Sequence, residues 1–205
     1  QDLSKILFKH ELYKKCLDVH GVIMEFGVHW GQSLALFESF RGIYEPHNFN
    51  RKIIGFDTFE GFPSVHDKDG NSSLASIGKY SVTEGYKGHL EKILDYHELE
   101  SPIPHMKKYE LVQGDATLTI DKYLKAHPET IISFAYFDLD LYQPTIDCLK
   151  AIKNNITKGT VIGFDELNNS SFPGETLAVK EVFGLDNIRI QHSELTPDKS
   201  FIVIE

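Results

Sequence analysis

At 205 residues the chain has the length of one ordinary domain with a continuous core. A charged fraction of 25% beside 41% hydrophobic residues excludes a disordered chain, and no run approaches the ~18 apolar residues of a membrane span. The net charge of −9, without a long basic run, argues against nucleic acid and against an anionic membrane surface as partners.

The first twenty residues, QDLSKILFKHELYKKCLDVH, are too charged for the apolar core of a signal peptide, and the lack of an initiator Met is compatible with a trimmed chain. Ile6, Leu7, Tyr13, Cys16 and Leu17 recur at helical offsets, predicting an N-terminal helix over 4–17 with Ser4 placed to cap it. GVIMEF at 21–26 reads as a short apolar strand, GVHWG as a turn, and 32–42 as a helix with Leu34, Phe37 and Phe40 on one face. RKIIGFD at 51–57 is a second strand. The segment 62–88 is long for a compact domain and rich in Ser, Gly, Asp and Lys, the composition of a lid or acceptor-binding loop. Within it, DKDGN at 67–71 opens like a calcium loop but lacks the later acids, so it is not read as one.

A helix is predicted over 83–99, a strand over 109–115, a helix near 117–126 and a strand over 132–138. Pro144 is expected to open a helix over 144–156, followed by a strand at 160–166 and a helix at 175–184. NIRIQH and SFIVIE, joined by ELTPDK, close the chain as a hairpin-like pair. Strands alternating with helices imply right-handed crossovers and a mostly parallel sheet covered on both faces. With no repeat or linker, residues 1–205 read as a single α/β domain. Cys16 and Cys148 both fall in helical patterns and read as buried thiols of a cytoplasmic protein rather than a disulfide.

In open α/β sheets ligands bind beyond the carboxyl ends of the strands. Five strands deliver acids there: Glu25, Asp57, Asp115, Asp138, and the pair Asp165-Glu166. Any one alone reads as a solvated strand end or a helix cap; five together do not. Glu25-x-Gly27-x-x-x-Gly31 is a glycine turn whose leading acid would repel a pyrophosphate but suits the ammonium of an amino-acid ligand. Gly27 permits a tight bend, and Gly31 would let a ligand or the sheet approach the helix start. Asp57 stands where an acid accepts from ribose hydroxyls. Asp115, behind Gly114, either caps the next helix or accepts from an adenine amino group. Asp138, Asp165 and Glu166 come from neighbouring strand ends about 5 Å apart and can share one hard cation, Mg²⁺ being the plainest. Asp140 precedes the helix at Pro144 and reads as the residue that orders that turn.

On these residues the chain resembles the macrocin O-methyltransferase (TylF-type) family of S-adenosylmethionine-dependent sugar methyltransferases. The matching text is EFGVHWGQS, IGFDTFEGFP, QGD, FDLDLYQPTIDCLKAI and GTVIGFDELNN with PGE after it, from about residue 20 onward. The resemblance implies a class I methyltransferase Rossmann-like fold, a seven-stranded, mostly parallel sheet with an antiparallel last strand. It implies S-adenosylmethionine and Mg²⁺ as cofactors, and methyl transfer to a hydroxyl of a nucleotide deoxysugar, glycosylated natural product or glycan. Glu25, Gly27, Gly31 and Ser33 would surround the methionine part, and Asp57 the ribose. Thr58 and Phe59 would border adenine, with Gly114 and Asp115 near the base. Asp138, Asp165 and Glu166 would bind the metal, with Asp138 also the catalytic base. A homo-oligomer is expected, in which a neighbouring subunit can help define the acceptor.

Two departures from the family pattern stand out: Glu166 replaces an aspartate, and His29-Trp30 replace the usual residues of the turn. His29 is read as a packing residue, while His66, Tyr80, Tyr86 and His192 are candidates for acceptor contact. Two other functions fit parts of the text. Asp138-Leu139-Asp140 is formally the DxD of a nucleotide-sugar glycosyltransferase, and a non-catalytic S-adenosylmethionine-binding subunit would share the glycine turn.

Overall fold

The near-continuous apolar runs form parallel strands: Val22–Phe26 (β1), Ile53–Asp57 (β2), Tyr109–Gln113 (β3), Ile132–Phe137 (β4) and Ile156–Phe164 (β5). With Gln191–His192 (β6) and Ser200–Val203 (β7) they make one seven-stranded sheet in the order β3-β2-β1-β4-β5-β7-β6. β7 pairs antiparallel with both β5 and β6, so it alone runs against the others. This is the fold of class I methyltransferases, and the structure, a computed structural model, describes residues 2–205.

Strand alternation divides the core between two helical layers. Ile23, Phe134, Tyr136 and Val161 face helices Asp2–Lys15 (α1), Gln32–Tyr44 (α2) and Tyr86–Leu99 (α3). Met24, Phe26, Ala135, Phe137 and Phe164 face Ala116–Ala126 (α4), Tyr142–Ile152 (α5) and Pro173–Phe183 (α6). With both faces covered, the central strands lose the polar alternation of a half-exposed sheet. Cys16 and Cys148 are free buried thiols in the two layers. Among the described residues no helix is long and apolar enough to cross a membrane.

Several boundaries differ from expectation. α1 already runs from Asp2, placing Ser4 inside the first turn rather than at the cap. α5 begins at Tyr142, two residues before Pro144, which still lies in the first turn, where a missing amide leaves no helical bond unmade. It ends at Ile152, so Asn154 and Asn155 turn the chain into β5, which starts at Ile156 rather than Thr160. Of NIRIQH only Gln191 and His192 pair with β7.

The amino-terminal edge of the sheet is tied by Arg51, only 2% exposed. Its guanidinium donates to the carbonyls of Val19 and Gly21, to Ser133 Oγ and, through Nε at 2.9 Å, to Glu45. One side chain thus joins the end of α1, β2 and β4. Arg51→Met removes the cation that pairs with Glu45, leaving that carboxylate only Tyr13 and Asn48 as donors, and we expect a loss of about 3–5 kcal/mol in urea unfolding. Glu38 of α2 is 4% exposed, and neither of its carboxylate oxygens finds a hydrogen bond among the described residues. Burial, opposed by Arg41, pushes its pKa up to about 8. A folded value above the unfolded one contributes stability at acid pH that is lost as pH rises through about 8. Unfolding free energies measured across this interval should fall less steeply in Glu38→Gln than in the parent.

Candidate active site

The parallel ladder continues one residue past the strands. Gly27 N donates to Phe56 O, Asp138 N to Phe26 O, Gly114 N to Asp57 O and Asp165 N to Phe137 O, at 2.8–3.0 Å. These bonds bring the acidic strand ends to one edge, around a cavity of about 280 Å³. Gly27, Asp57, Thr58, Gly114, Asp115, Asp138, Asp165 and Glu166 line it. Glu25, Gly31, Ser33 and Phe59 do not.

Gly27 has φ +90°, and a Cβ there would lie 1.9 Å from the carbonyl oxygen of Asp138. Only glycine lets β1 and β4 diverge this closely. Asp57 holds the following turn: its Oδ2 accepts from the amides of Val28 and His29, both at 2.7 Å, and its Oδ1 from Phe59 N at 2.6 Å. The carboxylate expected to meet ribose is therefore also the clamp that shapes the glycine turn. Thr58 Oγ1 donates to Gly61 O, and Phe59 is packed in the α1–α3 core. Asp115 caps α4 by accepting from Thr117 N.

Gly31 lies against α3 rather than the sheet: a Cβ there would strike Leu90 at 2.3 Å. Below the turn, Glu25 is buried beside Ser33, whose Oγ accepts from Lys9 Nζ at 2.5 Å. Burial raises Glu25 to about 8, with Lys9 and the Ser33 hydrogen bond opposing. Its Oε2 has no hydrogen-bond partner among the described residues, an acceptor suited to an incoming ammonium. Lys9 was invisible in the sequence, where nothing separates it from the other lysines of a charged helix.

At the ends of β4 and β5 lies the densest charge. Burial, then the charge of Asp165, lifts Asp138 to about 7. Asp140 does not order the α5 turn as expected. Leu141 is the cap residue and supplies no side-chain bond, whereas Asp140, at φ +59°, lines the cavity. Burial and the charges of Asp138 and Glu166 push Asp140 up to about 9. The left-handed backbone at Asp140 brings it to the cavity instead of the helix end. Glu166 is raised mainly by burial, and its Oε2 is buried without a hydrogen-bond partner. Asp165 is already engaged: Tyr136 Oη donates to Oδ1 and buried Lys199 Nζ to Oδ2, each at 2.7 Å. Glu175 of α6 accepts from Glu166 N at 2.9 Å and fixes that turn from behind.

The segment 62–88 covers the cavity with Phe62, Pro63 and Tyr80. The Tyr80 ring meets Phe62 at 5.3 Å and stands edge-on to His29 at 6.0 Å. Burial and the charges of Asp140, Glu166 and Asp138 raise its phenol. His29 lines the cavity as well as packing. His66 packs tilted against Tyr142 and Tyr86 Oη donates to Trp30 O, and neither lines the cavity. His192 is exposed on β6.

No protein-family model and no curated protein matches the sequence. Among solved structures, 98% of the chain matches CalS11, a calicheamicin methyltransferase, at 43% identity and TM-score 0.96, over 79% of that chain. The apo structure of CalS11, a TDP-rhamnose 3'-O-methyltransferase of calicheamicin biosynthesis, matches at 39% identity and TM-score 0.86 with the same coverage of both chains. The O-methyltransferase NovP shares the fold at 16% identity and TM-score 0.72, again over 98% of this chain and 79% of that one. Gly27→Ala inserts a methyl group into the Asp138 carbonyl, so calorimetry should show S-adenosylhomocysteine binding weakened by roughly a hundredfold or lost, while far-UV dichroism stays native.

Proposed function

Because the chain belongs to the family of S-adenosylmethionine-dependent sugar O-methyltransferases, we propose that it methylates a hydroxyl of a deoxysugar carried by a nucleotide, a glycosylated natural product or a glycan. The observation that carries this reading is one cavity in which the Gly27–Asp57 turn faces the carboxylates of β4 and β5. Within the family, IGFDTFEGFP and FDLDLYQPT favour the macrocin (TylF-type) branch. Family membership sets aside the glycosyltransferase and non-catalytic alternatives.

The residues divide the work. Glu25, with its unpaired Oε2, takes the ammonium of the donor, and Gly27 lets the chain pass close beneath it. Asp57 offers the ribose its remaining lone pairs, with Thr58 bordering the base and Gly114-Asp115 beneath it, while Phe59 supports the turn from the core. Gly31 and Ser33 act one layer back, on Leu90 and on Lys9 with Glu25. S-adenosylmethionine supplies the methyl group as a sulfonium-activated electrophile.

The acid cluster suits a hard divalent cation. Its donors are all carboxylate oxygens, one of them buried and unpaired, and their mutual repulsion is what an ion would relieve. Among the described residues no three are yet gathered as ready ligands. Asp138, Asp165 and Glu166 are the residues we assign to it, Asp165 contributing while it shares its carboxylate with Lys199. A bound Mg²⁺ supplies charge that acidifies an acceptor hydroxyl. Asp138 is the residue we assign to take the proton from that hydroxyl.

Calorimetry decides the class: S-adenosylhomocysteine should bind and UDP should not, and tight UDP binding without the homocysteine would overturn the reading. Asp138→Ala should abolish methyl transfer to a panel of nucleotide sugars and glycosides while leaving S-adenosylhomocysteine affinity within about threefold. Undiminished activity in excess chelator would remove the cation from the scheme.

A further inference from the structure

The amino terminus of α5 directly follows the turn that carries Asp138 and Asp140, and its own cap residue, Leu141, offers no side-chain acceptor. The acceptor comes instead from 73 residues earlier. Asp69, 1% exposed in the short 3-10 turn Asp67–Asp69, accepts from Tyr142 N at 2.6 Å through Oδ1. Its Oδ2 accepts from His66 N at 2.7 Å and closes the 3-10 turn of the 62–88 segment. Both oxygens are thus committed, one to the segment over the cavity and one to the end of the acid turn.

A third element seals this joint. Gly174, in the first turn of α6, lies so close that a Cβ would stand 2.2 Å from Asp69 Oδ1 and 2.4 Å from Tyr142 N. The next residue, Glu175, holds Glu166 N. Outside the joint, Lys68 donates to Tyr142 Oη at 2.7 Å and to Glu181 at 3.2 Å, contacts near solvent that reinforce without being enclosed. A serine or aspartate at position 141 would cap α5 locally. A cap drawn from the covering segment does more, because the segment cannot lift without uncapping the helix behind the acids.

Resting on the methyltransferase reading, we infer that Asp69 is a positioning residue that couples the 62–88 segment to the Asp138–Asp140 turn. Segment closure and the aim of the two carboxylates are one equilibrium. An acceptor that holds the segment down also sets the geometry in which its hydroxyl is deprotonated. Donor binding, organised by Asp57 and Glu25 on the other side of Gly27, lies outside that coupling.

Three variants and two kinds of measurement test this. In Asp69→Ala, hydrogen exchange should accelerate together in the 62–80 and 138–147 peptides. The kcat for sugar methylation should fall by roughly tenfold, the scale of a lost helix cap. Calorimetric affinity for S-adenosylhomocysteine should stay within about threefold of the parent. Asp69→Asn, which keeps one acceptor oxygen, should recover part of the kcat, and it gives the same readings should the alanine variant not fold. Gly174→Ala should reproduce the Asp69→Ala pattern from the opposite side, while Lys68→Ala leaves kcat unchanged. Unchanged kcat in folded Asp69→Ala, or faster exchange in one peptide without the other, overturns the inference. If the parent methylates no sugar, the functional reading falls, and the exchange data alone still decide whether the joint exists.

Discussion

Where β1 and β4 leave the sheet, the carbonyl of Asp138 presses against Gly27 at a distance that no side chain would allow. This contact seats the two halves of the cavity against each other. On one side stand the glycine turn and the Asp57 carboxylate that gathers three backbone amides around it. On the other stand the acids of β4 and β5. Because the contact is backbone against backbone, their separation follows from strand pairing alone, and Phe26–Phe137 register transmits directly to the chemistry.

The electrostatics run against stability. Glu25, Asp138 and Asp140 are all held above their ordinary range, chiefly because burial penalises the charged form. Lys9 and Lys199 offset part of this from opposite sides, one from α1 and one from the residue just before β7. Such an arrangement costs folding free energy and persists because the surrounding layers over-determine it. Charges kept in a low-dielectric cleft act strongly on whatever enters, which is the benefit obtained for the cost.

The chain carries its architecture openly. Apolar runs bounded by Gly and Asp located five strands within a few residues, and the carboxyl-edge rule then collected Asp57, Asp115, Asp138, Asp165 and Glu166 around one cavity. What the text could not show were contacts that span it. Lys9 and Lys199 look like any surface lysine, yet both are buried against acids. Asp69 sits in a polar stretch that suggests an ion loop, while its bond reaches α5. Asp140 faces the cavity because tertiary packing fixes a positive φ there, and an aspartate in the text does not announce that backbone as a glycine would. Gly31 was legible as a special backbone position but not as a seat for Leu90.

Lys199 lies late in the chain, immediately before β7, the strand inserted between β5 and β6. Its ammonium is the buried cation closest in kind to what the acids lack, and it reaches Asp165 only once β7 has paired with β5. The acid edge is therefore balanced by a charge delivered from the far end of the chain, and the pairing of β7 with β5 is as much a part of the cleft as the strands that carry the acids.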